Sequence, residues 1–178
     1  MQDIRDYQSN SINLIREEFK KGKNKVLLWL ATGAGKTFIF CKMVKSAVLN
    51  NKKCIIVVRG RKLVDQASQR LNREEVEHGV LMNKHWNYRP NSPVQVCSVD
   101  TLISRNLTPE ADLIILDEAH LAVSKGYKEF LAKYPKAFIV SVTATPYVYG
   151  GLGHIAQSVV HPIGMQELID KGYLTPFR

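Results

Sequence analysis

A chain of 178 residues can bury about 70% of its unfolded surface in one domain, so it needs neither disulfide nor metal staple. Its 25 Lys and Arg against 16 Asp and Glu give a net charge of +9 and a pI near 9.5, which points to a polyanionic partner, nucleic acid first, with a plain basic surface as the alternative. Neither the charged N-terminus nor any apolar run fits a signal peptide or the roughly 18-residue stretch that a membrane span requires, so a cytoplasmic location is expected (host cytoplasm for a viral chain), with no membrane partner. Cys41, Cys54 and Cys97 stand far apart inside apolar patterns and read as small buried hydrophobes in a reducing compartment. They and the five histidines lack metal-ligand spacing.

Residues 6 to 21 read as an amphipathic helix. Tyr7, Ser11, Leu14, Ile15 and Phe19 share one face, Lys and Arg lie opposite, and Gly22 ends it. The apolar run from 26 to 30 reads as a buried strand. It stops at the small residues 31 to 35. Lys36-Thr37 then open a helical pattern through Ile39, Met43, Val44, Ala47 and Val48 to about Leu49. Strand, glycine-rich turn and helix form the context a phosphate-binding loop requires. Glycines let several N–H groups curl around one anion, and the helix N-terminus adds partial positive charge. Lys36 would reach the β- and γ-phosphates, and the Thr37 hydroxyl would ligand Mg²⁺. The strict pattern asks for glycine where this chain has Leu30. The plain alternative is an ordinary β–α turn.

Further along, 54 to 58 is a second buried strand, 62 to 72 a helix, and 79 to 82 fits a short strand. A polar, aromatic loop with two prolines covers 85 to 93. Within it Trp86, Tyr88 and Arg89 read first as packing their own loop and second as a surface for stacking bases. Residues 94 to 98 form a strand, 99 to 105 a short helix, and 113 to 116 an apolar strand that runs into Asp117-Glu118-Ala119-His120. Residues 124 to 133 are helical. A strand from 137 to 142 enters Thr143-Ala144-Thr145-Pro146. After a loop marked by Gly150, Gly151 and Gly153 come a strand at 158 to 160, a helix at 165 to 171 and an extended end. Strands alternating with helices, and apolar throughout, call for a mostly parallel sheet covered on both faces, with right-handed crossovers. Ligands then bind at the carboxyl ends of the strands. The unusual loops follow Leu30, Val58, Ser98, Leu116 and Val142, all at that end.

Two acids after a greasy strand are costly to bury unless a cation or hydrogen bonds satisfy them. In a phosphate-loop protein, Asp117 would hold Mg²⁺ across from Thr37, and Glu118 would orient or deprotonate the attacking water. A strand-to-helix cap is the alternative for Asp117.

With these residues placed, the chain resembles the first RecA-like domain of superfamily 2 helicases and translocases of the DEAH-lettered kind, in their restriction-enzyme and repair-helicase branch. The likeness covers nearly all 178 residues. It rests on Ala31-Thr-Gly-Ala-Gly-Lys-Thr37, Asp117-Glu-Ala-His120 and Thr143-Ala-Thr145, in that order. The resemblance implies an α/β, RecA-like P-loop NTPase domain over residues 1–162 and a tail, 163–178, leading toward a second RecA-like domain. It implies ATP and Mg²⁺ as ligands. Arg5, Gln8, Thr32, Gly33, Ala34, Gly35, Lys36 and Thr37 would bind the nucleotide, with Gln8 reading adenine. Thr37 and Asp117 would hold the metal, and Lys36, Asp117, Glu118 and His120 would carry hydrolysis. Arg59, Thr101 and Arg105 would touch a nucleic-acid backbone, DNA ahead of RNA, while Thr143 and Thr145 couple the two sites. The expected activity is ATP-driven helicase or translocase action, weak until a second domain supplies an arginine finger. As the chain stops at Arg178 without one, it is expected to be a fragment, or to be completed by a partner. Two rivals are an ATP-binding switch that recruits a partner without translocating, and a nucleic-acid-binding module whose ATP site is dead. The complete set Lys36, Thr37, Asp117 and Glu118 argues against the second.

Overall fold

Strands too apolar to alternate must be covered on both sides. The computed structural model shows that arrangement over the residues it describes, 4–119, 124–146, 152–153 and 155–175. Seven strands form one sheet: β1 Lys25–Trp29, β2 Cys54–Val58, β3 Gly79–Leu81, β4 Val94–Ser98, β5 Leu113–Leu116, β6 Phe138–Thr143 and β7 Ser158–Val160. Their order is β3-β4-β2-β5-β6-β1-β7, and every pairing is parallel. The helices are α1 Asp6–Lys20, α2 Lys36–Leu49, α3 Arg61–Arg73, α4 Val99–Ser104, α5 Lys125–Ala132 and α6 Met165–Asp170.

The two-residue period of a strand sends alternate side chains to opposite faces. In β2, Cys54, Ile56 and Val58 join a core with residues of α1, α2, α3 and α6, while Ile55 and Val57 join a second core with residues of α4 and α5. All five β2 side chains are fully buried, each worth about 1.5–3 kcal/mol of transfer free energy for the branched aliphatics. The first core includes Ile163 and Leu168, so the packing runs on into α6. The three cysteines are buried and free. Burial pushes the Cys41 and Cys54 thiols up to about 12 and Cys97 higher still, as expected of inert core residues. Among the described residues no helix is long and apolar enough to cross a membrane.

One helix face differs from the sequence pattern. In α1 the buried residues are Tyr7, Gln8, Ser11, Ile12 and Ile15, and Leu14 is only partly buried. The helix is rolled so that the Gln8–Ile12–Ile15 row faces inward, which brings Gln8 to the phosphate loop.

Because all strands point one way, their C-terminal ends share a rim. Within it β6 separates β1 from β5. The loops after β1 and β5 therefore start two strand spacings apart, about 10 Å.

A candidate nucleotide cleft and the rim beside it

β1 does not stop cleanly at Trp29. The Leu30 N–H still donates to the Thr143 carbonyl (3.1 Å), and the Leu30 side chain is fully buried. Leu30 is thus a strand residue in the core, which explains why a side chain stands there in place of the glycine of the strict pattern. The turn tightens at once: Ala34 N–H bonds to Ala31 O (3.2 Å). Gly33 and Gly35 take φ of +83° and +76°, a region that side chains disfavour. Space is tight there too, since a Cβ on Gly35 would lie 2.6 Å from Gln8 Nε2 and displace that side-chain end, and one on Gly33 would press Leu174 Cδ2 at 3.0 Å. Gly35 is the N-cap of α2, whose first turn carries no acid to offset its positive end.

Lys36 and Thr37 begin α2 and line a cleft of about 330 Å³ with Gly33, Gly35, Gln66, Asp117 and Glu118. The Lys36 ammonium donates to the carbonyls of Leu30 and Ala31, both at 3.2 Å. Burial holds its pKa below the usual lysine value, and the Glu118 and Asp117 carboxylates partly offset that. Across the cleft, Asp117 N–H donates to Val57 O (3.1 Å), extending the ladder of β5 by one residue. Asp117 Oδ1 accepts the Glu118 N–H at 3.0 Å. Glu118 itself sits at φ +52°, which costs roughly 1–2 kcal/mol for an L-residue. The sequence set Lys36, Thr37, Asp117 and Glu118 is therefore gathered around one cleft. His120 lies outside the described residues.

The N-terminal segment closes on the same loop. The Tyr7 hydroxyl donates to the Ala34 carbonyl (2.9 Å). Gln8 is buried, with Oε1 accepting the Arg5 N–H (3.0 Å) and Nε2 lying over Gly35. The Arg5 guanidinium stacks 4.4 Å from the Tyr173 ring centre, and Tyr7 packs on the same ring. Thr32 is exposed on the loop. Three residues of this neighbourhood escaped the sequence analysis: Gln66, Tyr173 and Leu174. Only Gln66 carried a signal, as an exposed polar residue of α3 at the cleft; the other two arrive by long-range packing.

The segment after β6 is joined to the loop through Leu30. Thr143 is buried, its hydroxyl donates to Thr145 O, and it accepts the Thr145 N–H, each at 3.1 Å. A side-chain turn of this kind holds the exposed Thr145 at the rim.

Past β2 the rim turns basic. Arg59 is exposed, and Arg61 and Lys62 occupy the first turn of α3, which contains no acid. Cations at the positive end of a helix are unfavourable for folding, and a bound anion relieves them. β4 lies beside β2, with Ser98 opposite Val58, so α4 rises next to Arg59. Thr101 is half-buried in α4, and Arg105 at its end donates to Asn83 Oδ1 (3.0 Å). Trp86 stacks one face on the His85 ring of its own loop, centroids 5.6 Å apart, yet it and Tyr88 remain exposed.

A lysine at a helix N-terminus facing two carboxylates, at the carboxyl rim of a parallel sheet, defines a RecA-like P-loop nucleotide-binding domain. The family profile described as "Type III restriction enzyme, res subunit" matches residues 2–148, and the chain belongs to that family. IRC3 of Saccharomyces cerevisiae, a candidate ATP-dependent helicase, is 30% identical over 96% of this chain and 28% of its own length. Among solved structures, the Hef helicase domain of Pyrococcus furiosus superposes with a TM-score of 0.71 at 20% identity, over 98% of this chain and 41% of that one. The Type ISP restriction-modification enzyme LlaGI, solved with a DNA substrate mimic, gives a TM-score of 0.75 at 17% identity, over 97% and 21%. The fold is that of the N-terminal domain of superfamily 2 helicases. The chain spans 28% or less of the length of the curated relatives it matches.

Proposed function

We propose that this chain is the ATP-binding domain of an ATP-dependent nucleic-acid helicase or translocase, acting on DNA ahead of RNA. The observation that carries the proposal is the meeting of Lys36 and Thr37 with Asp117 and Glu118 in one cleft. The turn at 31–35 and the α2 N-terminus supply N–H groups for the phosphates. Lys36 exchanges its two carbonyl contacts for phosphate oxygens, which satisfy a buried ammonium better than neutral acceptors do. The Thr37 hydroxyl and the Asp117 carboxylate are hard oxygen donors on opposite walls, the pair that suits Mg²⁺. When bound, that ion neutralises charge building on the phosphates. Glu118 accepts a proton from the attacking water. Arg5 and Gln8 face the base.

Thr143 and Thr145 relate this cleft to the rim, where Arg59, Thr101 and Arg105 hold a strand by its backbone rather than its sequence. His120 belongs to the same relay by its position in the motif. Residues 163–178 lead toward a second RecA-like domain that completes the ATPase.

Titration with a fluorescent ATP analogue and Mg²⁺ tests the cleft. Lys36→Ala should weaken binding about 10- to 100-fold, the scale of a hydrogen bond to a charged group. It should not lower the melting temperature, because a buried cation is removed. Unchanged affinity in that variant would remove the phosphate assignment.

A further inference from the structure

Residues 85–88 reverse the usual order of burial. Their side chains alternate: His85 and Asn87 turn inward, 5% and 6% exposed, while Trp86 and Tyr88 turn outward, 78% and 59% exposed. The inward pair is fastened on all sides. His85 Nε2 meets the Asp65 carboxylate of α3 at 3.0 Å, and its Nδ1 accepts the Asn87 N–H at 3.1 Å. The Asn87 side-chain amide donates to His78 O (3.2 Å), and the Asn87 backbone carbonyl accepts the Val80 N–H of β3 (2.9 Å). Gln95 holds the far end of the loop through the carbonyls of Arg89 and Ser92. A loop secured in this way presents its aromatics by construction.

Charge identifies what they meet. Arg61 donates to Asn83 O (3.3 Å) and Arg105 to Asn83 Oδ1 (3.0 Å), so two guanidiniums converge at the foot of the loop. Lys84 is exposed and turned out by a left-handed backbone, φ +52°. Of the acids nearby, Asp65 meets His85 and Glu77 lies within 4.0 Å of Arg89. Flat aromatic faces set among cations suit a polyanion that carries planar rings. A protein partner would ask instead for a continuous apolar patch.

We propose that Trp86, flanked by Tyr88, stacks on an unpaired base of a nucleic-acid strand whose phosphates are held by Arg61, Lys84 and Arg105. The inference rests on the nucleic-acid reading above. It requires an unpaired base because bases inside a duplex are already stacked on their neighbours.

The test is binding of a labelled oligo-dT strand, and of a blunt duplex, to the 178-residue chain across a salt series. Trp86→Ala should weaken single-strand binding by about 5- to 100-fold, the range seen for one stacked base. It should leave the dependence on salt and the melting temperature unchanged, and Trp86→Phe should restore most of the affinity. Arg61→Ala should instead lower the slope of log K against log salt by about one. If Arg59→Ala weakens binding and Trp86→Ala does not, the stacking proposal is overturned while the nucleic-acid reading stands. Equal losses on the blunt duplex would overturn the unpaired base. A wild-type chain that binds neither probe would sink the nucleic-acid reading, and this proposal with it.

Discussion

Left-handed residues occur in two settings in this molecule, and the two differ in what justifies them. Where α2, α3 and α4 end, Asn51, Glu75 and Asn106 take φ of +55°, +57° and +50°. At each, the next N–H reaches back five residues: Lys52 to Ala47 O, Val76 to Leu71 O, Leu107 to Leu102 O, at 2.9–3.0 Å. Each left-handed residue thus satisfies a helix-end carbonyl that would otherwise lack a partner. At the carboxyl rim of the sheet, Glu118 and Lys84 adopt the same conformation and close no helix. The first places a carboxylate in the cleft; the second turns a loop that carries exposed aromatics. Lys84 sits in a turn closed by the His85 N–H on Met82 O (3.3 Å), whereas the positive φ of Glu118 sets an acid at the cleft, where strain is a mark of function. Size would mislead here. A cavity of about 400 Å³ opens between Arg16, Phe19, Met43, Lys52 and Phe138 at the opposite rim, larger than the phosphate cleft at about 330 Å³.

The sharpest way to break this contrast is at Glu118. Glu118→Gln keeps the shape and removes the proposed base, so ATP turnover in the full-length protein should fall about 10²- to 10⁴-fold with nucleotide affinity kept. Glu118→Gly should lose turnover equally and gain up to about 1 kcal/mol of stability in denaturant unfolding, because glycine accepts a positive φ freely. A glycine variant less stable than the parent would show that the left-handed backbone is not strained, and the contrast between the rims would fail.

His78, just before β3, tests the other rim through pH. Its Nδ1–H donates to Val76 O (2.9 Å), and Nε2 accepts the Ser68 hydroxyl (2.7 Å), so both nitrogens are satisfied in the neutral ring. Burial, the main cause, holds its pKa below the ordinary 6.5. As pH falls below 6.5, the unfolded chain takes up a proton that the folded chain refuses. Stability should therefore drop with acidity in that window and level off below the folded value. His78→Asn should remove this part of the decline, seen as a smaller change in the denaturant midpoint between about pH 7.5 and about pH 5. An identical decline in both proteins would assign the pH dependence elsewhere.

Much of this was legible from residue types, and the limits have physical causes. Continuous apolar runs announced β1, β2 and β5, since a parallel sheet covered on both faces leaves no polar side to display, while the short β3 and the Gln- and Ser-containing β4 read less plainly. The cleft was legible because the phosphate and metal chemistry proposed for it demands particular residues at fixed distances from strand ends, and the structure brings Lys36, Thr37, Asp117 and Glu118 together there. Periodicity alone did not set the roll of α1, because Ile12 and Leu14 are both apolar and only tertiary packing chooses between them. Tyr173 and Leu174 meet Arg5 and the loop across most of the chain's length, a contact no local pattern encodes. Trp86 misled because aromatic residues ordinarily go inside; here polar His85 and Asn87 take that place, and nothing in the sequence states that Asp65 and His78 receive them.

The smallest effect is expected at Asp112, where the opposite rim is held by exposed pairs. Its carboxylate accepts the Lys53 N–H (2.8 Å) and meets Lys52 at 3.3 Å, and Lys53 pairs with Glu110. The Lys53 backbone bond, ahead of the Lys52 contact, holds the Asp112 carboxyl below its ordinary 3.8. This stabilisation is therefore present above pH 3.8 and disappears as pH falls through the lower folded value. The Asp112 side chain is 45% exposed, so solvent screens the gain. Asp112→Asn keeps an acceptor for the Lys53 amide and loses only the charge. It should cost under about 1 kcal/mol in denaturant unfolding at neutral pH, with nucleotide affinity unaltered. A loss of nucleotide affinity there would mean the two rims are energetically coupled through β5, and the division of labour between them would have to be abandoned.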